Sequence, residues 1–195
     1  MQITIKLEHL DEVIENLKGI PGAARFVVQA ASKLGLSKAR TMIDRSIRHR
    51  YNIAQKTVLA AIGKPRMFAV GGQITVSGKR FALSMFPSRD ANPDGVQVSI
   101  LKDHTSHYPS AFVIKTGRKL PNARSFPILE RDPGAGRYPI HGMIAPGSVP
   151  EMLQEKSEVL PAVEAQVNET INGEISRLMP LVLSGLVKVP RWYIK

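Results

Sequence analysis

Residues 62–86 read IGKPRMFAVGGQITVSGKRFALSMF. Within these residues the spacing of apolar side chains changes: before Pro65 it follows a helical period, and after it QITVSG (73–78) and RFALSMF (80–86) alternate as strands do. A chain that switches from one period to the other combines a helical part with a β-rich part. The fold class expected is therefore α+β, a mostly antiparallel sheet packed against a long N-terminal basic helix and a C-terminal helix.

Upstream of the switch, QITIKL (2–7) alternates as a short strand, and Val13, Ile14 and Leu17 share a helical face before GIPG (19–22) stops it. From Ala23 to about Tyr51 a long helix is expected, with Phe26, Val27, Ala30, Ala31 and Leu34 as its apolar stripe, continued by Ala39, Ile43 and Ile47. YNIAQKTVLAAIGK (51–64) predicts a short helix with Asn52 as N-cap and Gly63 as its stop.

Downstream, VQVSIL (96–101), SAFVIKTG (110–117), SFPILERD (125–132) and RYPIHGMI (137–144) extend the strand pattern. RFALSMF and VQVSIL are joined by PSRDANPDG, whose end is turn chemistry. Connections this short leave no room for helical crossovers, so the sheet should be antiparallel. Ser148 and Glu151 fit a capping box, which predicts a helix from Val149 to about residue 187, started or kinked at Pro161 and Pro180. The organisation expected is one domain over 1–195, helical over 1–64, β-rich over 65–145, helical again over 148–187, with an apolar and basic tail at 188–195.

Bulk composition narrows the classes of function. The 195 residues are 43% hydrophobic and hold no cysteine, which excludes a disulfide framework, a thiol nucleophile and a thiolate metal site. No apolar run has the length of a membrane span, and the N-terminal residues alternate and carry acids, so neither a membrane anchor nor a secretory signal is expected. A soluble protein made in the cytoplasm is the reading.

The net charge is +11, and it is unevenly placed. Residues 1–150 hold 22 Lys/Arg against 10 Asp/Glu, whereas residues 151–195 hold 5 against 6. Residues 25–89 carry 13 Lys/Arg and one acid, Asp44. Such asymmetry points to a polyanion or an acidic protein surface as neighbour, or to a solvated basic face. On the long helix the cations are Lys33, Lys38, Arg40, Arg45, Arg48 and Arg50. A basic rod of this kind over 33–50 can bind nucleic acid nonspecifically through its phosphates, and no base-reading motif or aromatic platform lies beside it.

Three stretches resemble catalytic or metal motifs. GAGR (134–137) has the glycines of a phosphate loop, but it opens an extended run with a proline rather than a helix, so a turn between strands is expected. DHTSHY (103–108) holds His104 and His107 near Asp103, in a stretch read as a loop with no third ligand evident. Glu130 and Asp132 stand two apart, as paired hydrolase carboxylates might, although Arg131 and the following PGAG suggest a charged turn. No Gly-x-Ser-x-Gly elbow occurs. No enzyme, metal or cofactor is expected.

The order of four pieces, IRHRYNIAQKTVLAAI, ITVSGKRFALSMF, SAFVIKTGRK and GRYPIHGMIAPGSVPEM, resembles the minor tail protein Z family of tailed phages and prophages, the tail-completion proteins of lambda-like siphophages. The resemblance spans roughly residues 20 to 155. It rests most on Ala111, Phe112, Gly117, Gly136, Arg137, Pro139, Ile140, Pro146, Ser148, Val149 and Pro150. It implies a non-catalytic virion protein of the phage tail, assembled in the bacterial host cytoplasm and acting late, near the joint between tail and head. Related proteins form rings around the DNA conduit, which implies self-association, a homohexamer by analogy. The other partners implied are a tail terminator or tail tube protein, head-tail connector proteins and phage DNA in the channel. Loops 87–95 and 102–109 are then expected to bridge subunits, and Lys38, Arg40, Arg45, Arg48 and Arg50 to face the lumen or an acidic ring. Neutral residues at Arg45, Arg48 and Arg50 are expected to reduce infectivity without disturbing the fold. The alternative is a nonspecific DNA-binding protein using helix 33–50, and a third reading is a hydrolase using Glu130 and Asp132.

Overall fold

A computed structural model describes residues 2–5, 10–68, 71–91, 94–115, 120–132, 138–154 and 159–194. The chain is α+β with antiparallel sheets, a long N-terminal helix and a C-terminal helix, and it divides into two compact units built from discontinuous segments.

The first unit comprises residues 1–43, 63–76 and 157–195. It holds β1 (Gln2–Ile5), α1 (Leu10–Asn16) and most of α2 (Ala23–Arg50). It also holds β2 (Arg66–Phe68) and β3 (Gly71–Thr75). The three strands form an antiparallel sheet in the order β1-β3-β2, with Gln2 opposite Thr75 and Arg66 opposite Gln73. From this unit's share of α2, Val27, Val28, Ala31, Leu36, Ala39 and Ile43 are buried. Leu34, expected on that stripe, is 46% exposed. Gly35 and Leu36 take the inward positions instead, because a Cβ on Gly35 would lie 2.6 Å from Ile171 Cγ1 of the C-terminal helix. Only a residue without a side chain lets the two helices approach so closely. Gln29 ties α2 to the sheet by donating from Nε2 to the Phe68 carbonyl at 2.9 Å.

The second unit comprises residues 44–62 and 77–156. It takes the last residues of α2, then α3 (Gln55–Ala61). The residue before α3 is Ala54, which offers no side-chain cap, so Asn52 is not its N-cap; the helix ends at Ala61 with Ile62 as C-cap and Gly63 next, and Thr57 and Val58 are buried. RFALSMF is not a strand. Phe81, Leu83 and Phe86 are all buried, and Leu83–Met85 is a 3-10 turn joined to residues further on by Leu83 N to Met143 O at 3.0 Å and Ala145 N to Phe81 O at 2.7 Å. Period two and a tight helical turn bury similar positions over so few residues, which is why alternation misleads here.

Two further sheets lie in this unit, so the strands among the described residues form three three-stranded sheets rather than one. The first joins β4 (Ser88–Asp90), β5 (Val96–Leu101) and β6 (His104–Tyr108) in that order. β5 points Val96, Val98 and Ile100 inward. The second joins β7 (Ala111–Val113), β8 (Ile128–Arg131) and β9 (Ile140–Gly142). The stretches 87–95 and 102–109, expected as long loops, therefore contain β4 and β6.

C-terminal to the sheets, helix is described as α4 (Val149–Gln154) in the second unit and α5 (Val159–Leu183) in the first, and residues 155–158 lie outside the described residues. α5 buries Val163, Val167, Ile171, Ile175, Leu178 and Val182 at helical spacing, with Pro161 in its first turn and Pro180 near its end. Ahead of the C-terminus, Tyr193 packs edge-on against Phe26 with centroids 5.4 Å apart, while Trp192 is 73% exposed. No helix among the described residues is long and apolar enough to cross a membrane.

Candidate functional site at the end of the basic helix

α2 ends in the second unit with Arg48, His49 and Arg50 in its last turn, where cations complement the carbonyl end of the helix dipole. Their environments differ. Asp44, the one acid of residues 25–89, is fully buried, and Arg48 meets it one turn later with Nη2 to Oδ2 at 2.8 Å and Nε to Oδ1 at 3.0 Å. Gln55 of α3 donates to the same Oδ2 at 3.1 Å. The hydrogen bond to Asp44 holds the Arg48 guanidinium still further above its ordinary pKa. Arg48 is thus a structural partner of Asp44, whereas Arg45 and Arg50 are exposed. In the first unit's part of the helix, Lys38 is exposed and Arg40 is half-buried.

Beyond Arg50 the backbone is clamped onto the hairpin of β5 and β6. Tyr51 forms an antiparallel bridge with Leu101, Asn52 N donates to Ile100 O at 2.8 Å, and Lys102 N donates to Arg50 O at 3.0 Å. The Arg50 guanidinium lies 5.8 Å from the centroid of the Tyr51 ring.

Segment 146–152 reaches the same place. The Ser148 amide donates to Glu151 Oε2 at 2.7 Å, as the capping box predicts, and this hydrogen bond holds the Glu151 carboxyl below its ordinary pKa. Arg80 lies 3.7 Å from the other carboxylate oxygen. Ser148 and Val149 are buried, Pro150 is half-buried and Pro146 is exposed. Buried Met152 and Leu153 anchor α4.

Between these segments lies a cleft of about 250 Å³. Arg50 and Tyr51 come from the end of α2, Ile100 and Leu101 from β5, and His104, Ser106 and Tyr108 from β6; Pro146, Gly147, Glu151 and Met152 complete the lining. The sequence singled out Arg50 and Pro146 separately, and the fold brings them together. It did not single out Tyr51, Ser106, Tyr108 or Met152. The signal for the β6 residues was available in HTSHY, whose alternation puts His104, Ser106 and Tyr108 on one face.

That strand replaces the loop expected over 103–108. His104 and His107 are an odd number of positions apart on β6, so they point to opposite faces, and His107 instead hydrogen-bonds the Asp94 carbonyl. Among the described residues no group of three or more His, Asp or Glu side chains could hold a metal ion.

The two carboxylates of the hydrolase reading have separate partners. Ser110 donates its hydroxyl to Glu130, and His141 Nε2 lies 3.3 Å from Asp132 Oδ1. Phe112 is half-buried in β7 with the Arg131 guanidinium 4.8 Å from its ring centroid. Pro139 follows a cis peptide bond from Tyr138 and is exposed, and half-buried Ile140 begins β9. Gly117, Gly136, Arg137 and the whole of GAGR (134–137), expected as a turn, lie outside the described residues.

No family model, curated protein or solved structure matches this chain.

Proposed function

We propose that this chain is a structural protein of a tailed-phage or prophage virion, a minor tail or tail-completion protein acting at the head-tail joint. The observation that carries the reading is the withdrawal of Asp44 into its pair with Arg48. The one acid in residues 25–89 is spent inside the fold, and Arg45 and Arg50 are left exposed at the end of α2. A cationic helix end of this kind suits an acidic neighbouring ring or the DNA conduit. Within two of the segments that carry the resemblance, 47–62 and 136–152, residues 47–51 and 146–152 work as frame: one stretch is clamped to a hairpin, the other caps and anchors α4.

In this reading the partners are further copies of the chain in a ring, a homohexamer by analogy, together with a tail terminator or tail tube protein and head-tail connector proteins. The test is to complement a phage lacking this chain with the double variant Arg45→Gln, Arg50→Gln. Fewer infectious particles, with the chain located at the head-tail joint in images of assembled tails, is the expected result. Normal infectivity, or a chain absent from tails, overturns the reading. Arg48 is left out of the variant because its loss would strip a buried carboxylate of its partner.

A second reading, a nonspecific DNA-binding protein, draws on the same exposed cations. Salt-dependent binding of free duplex DNA by the isolated chain, lost in the double variant, would favour it.

A further inference from the structure

We infer that an open groove on the outer face of the sheet β4-β5-β6 is a binding site for a phosphate group, held by Arg89 and the polar side chains around it.

The alternation of β5 makes this face. Val96, Val98 and Ile100 point inward, so Gln97 and Ser99 point outward. Strand pairing sets Arg89 of β4 opposite Gln97, and Thr105 of β6 meets Ser99 with the two hydroxyls 2.8 Å apart. With Pro87 and Ser88 these side chains line a groove of about 290 Å³.

Its donors are uncommitted. The Arg89 guanidinium is exposed, and among the described residues it has no hydrogen bond, ion pair or ring contact. Of the two hydroxyl protons on Ser99 and Thr105, one serves their mutual hydrogen bond and the other is left for a ligand. The Gln97 side-chain amide adds two N–H donors. No acid lines the groove. Asp90, next to Arg89 in β4, stands opposite inward Val96 and is held by Lys115 at 3.1 Å, and His107, opposite Gln97, is turned to the Asp94 carbonyl.

A ligand suited to this groove is anionic and rich in acceptors. Phosphate meets both conditions, because the planar guanidinium offers two parallel N–H donors to a pair of its oxygens and the hydroxyl and amide donors reach the others. No aromatic side chain lines the groove, so a base or a sugar ring gains no stacking there and recognition rests on the phosphate itself. That phosphate is either a free ion or part of a nucleic-acid backbone, and the experiment separates the two sources.

The site is independent of the virion reading. Its test turns on Arg89, whereas that reading turns on Arg45 and Arg50, so each can fail without the other.

The full chain, isotope-labelled on nitrogen, is titrated with sodium phosphate while sodium chloride keeps the ionic strength constant, and amide chemical shifts are followed. Saturable shifts centred on Arg89, Gln97, Ser99 and Thr105 are expected. Arg89→Gln should weaken phosphate binding by about tenfold to a hundredfold, the worth of hydrogen bonds from a charged group. Thr105→Val should weaken it several-fold. Lys56→Gln, which removes the same charge from an exposed position on α3, should leave it unchanged. In a second arm a fluorescein-labelled ten-residue oligothymidine is followed by anisotropy. Oligothymidine that competes with phosphate, and whose salt slope falls by about one in Arg89→Gln, identifies a nucleic-acid backbone as the source. Phosphate binding without that competition identifies the free ion. No saturable phosphate shifts, shifts that chloride alone reproduces, or equal weakening by Arg89→Gln and Lys56→Gln overturns the assignment.

Discussion

Asp44 and Arg48 stand one turn apart on α2 and are joined by three charge-assisted hydrogen bonds, with the carboxylate fully buried and the guanidinium side chain 35% exposed. The pair converts the one acid of a strongly basic stretch into a fastening between α2 and Gln55 of α3. Removing the arginine would leave the carboxylate buried with an amide as its remaining partner, which costs more than the pair itself contributes. Arg48→Gln should therefore lower the stability of the chain by about 1–3 kcal/mol, less than for a wholly buried pair because water reaches the guanidinium. Urea unfolding measures it. Arg45→Gln, on an exposed site, should stay within about 0.5 kcal/mol, and equal effects at the two positions would refute the structural role of Arg48.

Glycines on the two long helices of the first unit should respond in opposite directions. Gly35→Ala places a Cβ 2.6 Å from Ile171 Cγ1 and 2.9 Å from its Cδ1. The crowding should outweigh the better helix propensity of alanine and cost about 1–2 kcal/mol. Gly173 lies inside α5 with nothing within 4 Å of the added atom, so Gly173→Ala should stabilise by about 0.4–1 kcal/mol. Thermal melts of the two variants decide the matter.

The Glu151 carboxyl is held below its ordinary pKa, chiefly by the Ser148 amide. A lowered folded-state pKa means that its contribution is fully present above the unfolded value of about 4.3 and is lost as the pH falls through the folded value. Glu151→Gln should thus be less stable than the parent at neutral pH, and the gap should close on acidification below about pH 4.3. A gap that is constant from pH 7 to pH 3 would show that the carboxylate charge plays no part in capping α4.

Leu153 in α4 and Pro146 ahead of that helix differ in burial. Leu153 is fully buried, so Leu153→Ala should cost about 2–5 kcal/mol through the cavity it leaves. Exposed Pro146, at the cleft, should tolerate alanine within about 0.5 kcal/mol. Chemical denaturation of both variants checks the ranking.

Much of the architecture was legible in local pattern. The long helix, the strands at β5, β7, β8 and β9, and the Ser148–Glu151 cap each follow from spacing or from a hydrogen bond between near neighbours. Patterns failed where burial came from a distant segment. Leu34 looks like a stripe residue, yet Gly35 is the point of close approach to α5. RFALSMF alternates, yet its buried aromatics, Phe81 and Phe86, flank a 3-10 turn and meet edge-on at 6.5 Å. HTSHY has too many polar residues to look like a strand, because an edge strand buries little of its surface.

The basic character of residues 25–89, the absence of thiol chemistry and the α+β class belong to composition and periodicity, which act over a few residues and need no partner. Which cations stay exposed does not. Arg45, Arg48 and Arg50 are equivalent as letters, and burial of Asp44 makes Arg48 a fastening while the clamp at Tyr51 and Leu101 sets Arg50 at a cleft. Those assignments come from contacts between α2, β5, β6 and α4, segments far apart in the chain, whose pairing depends on which buried surfaces fit together.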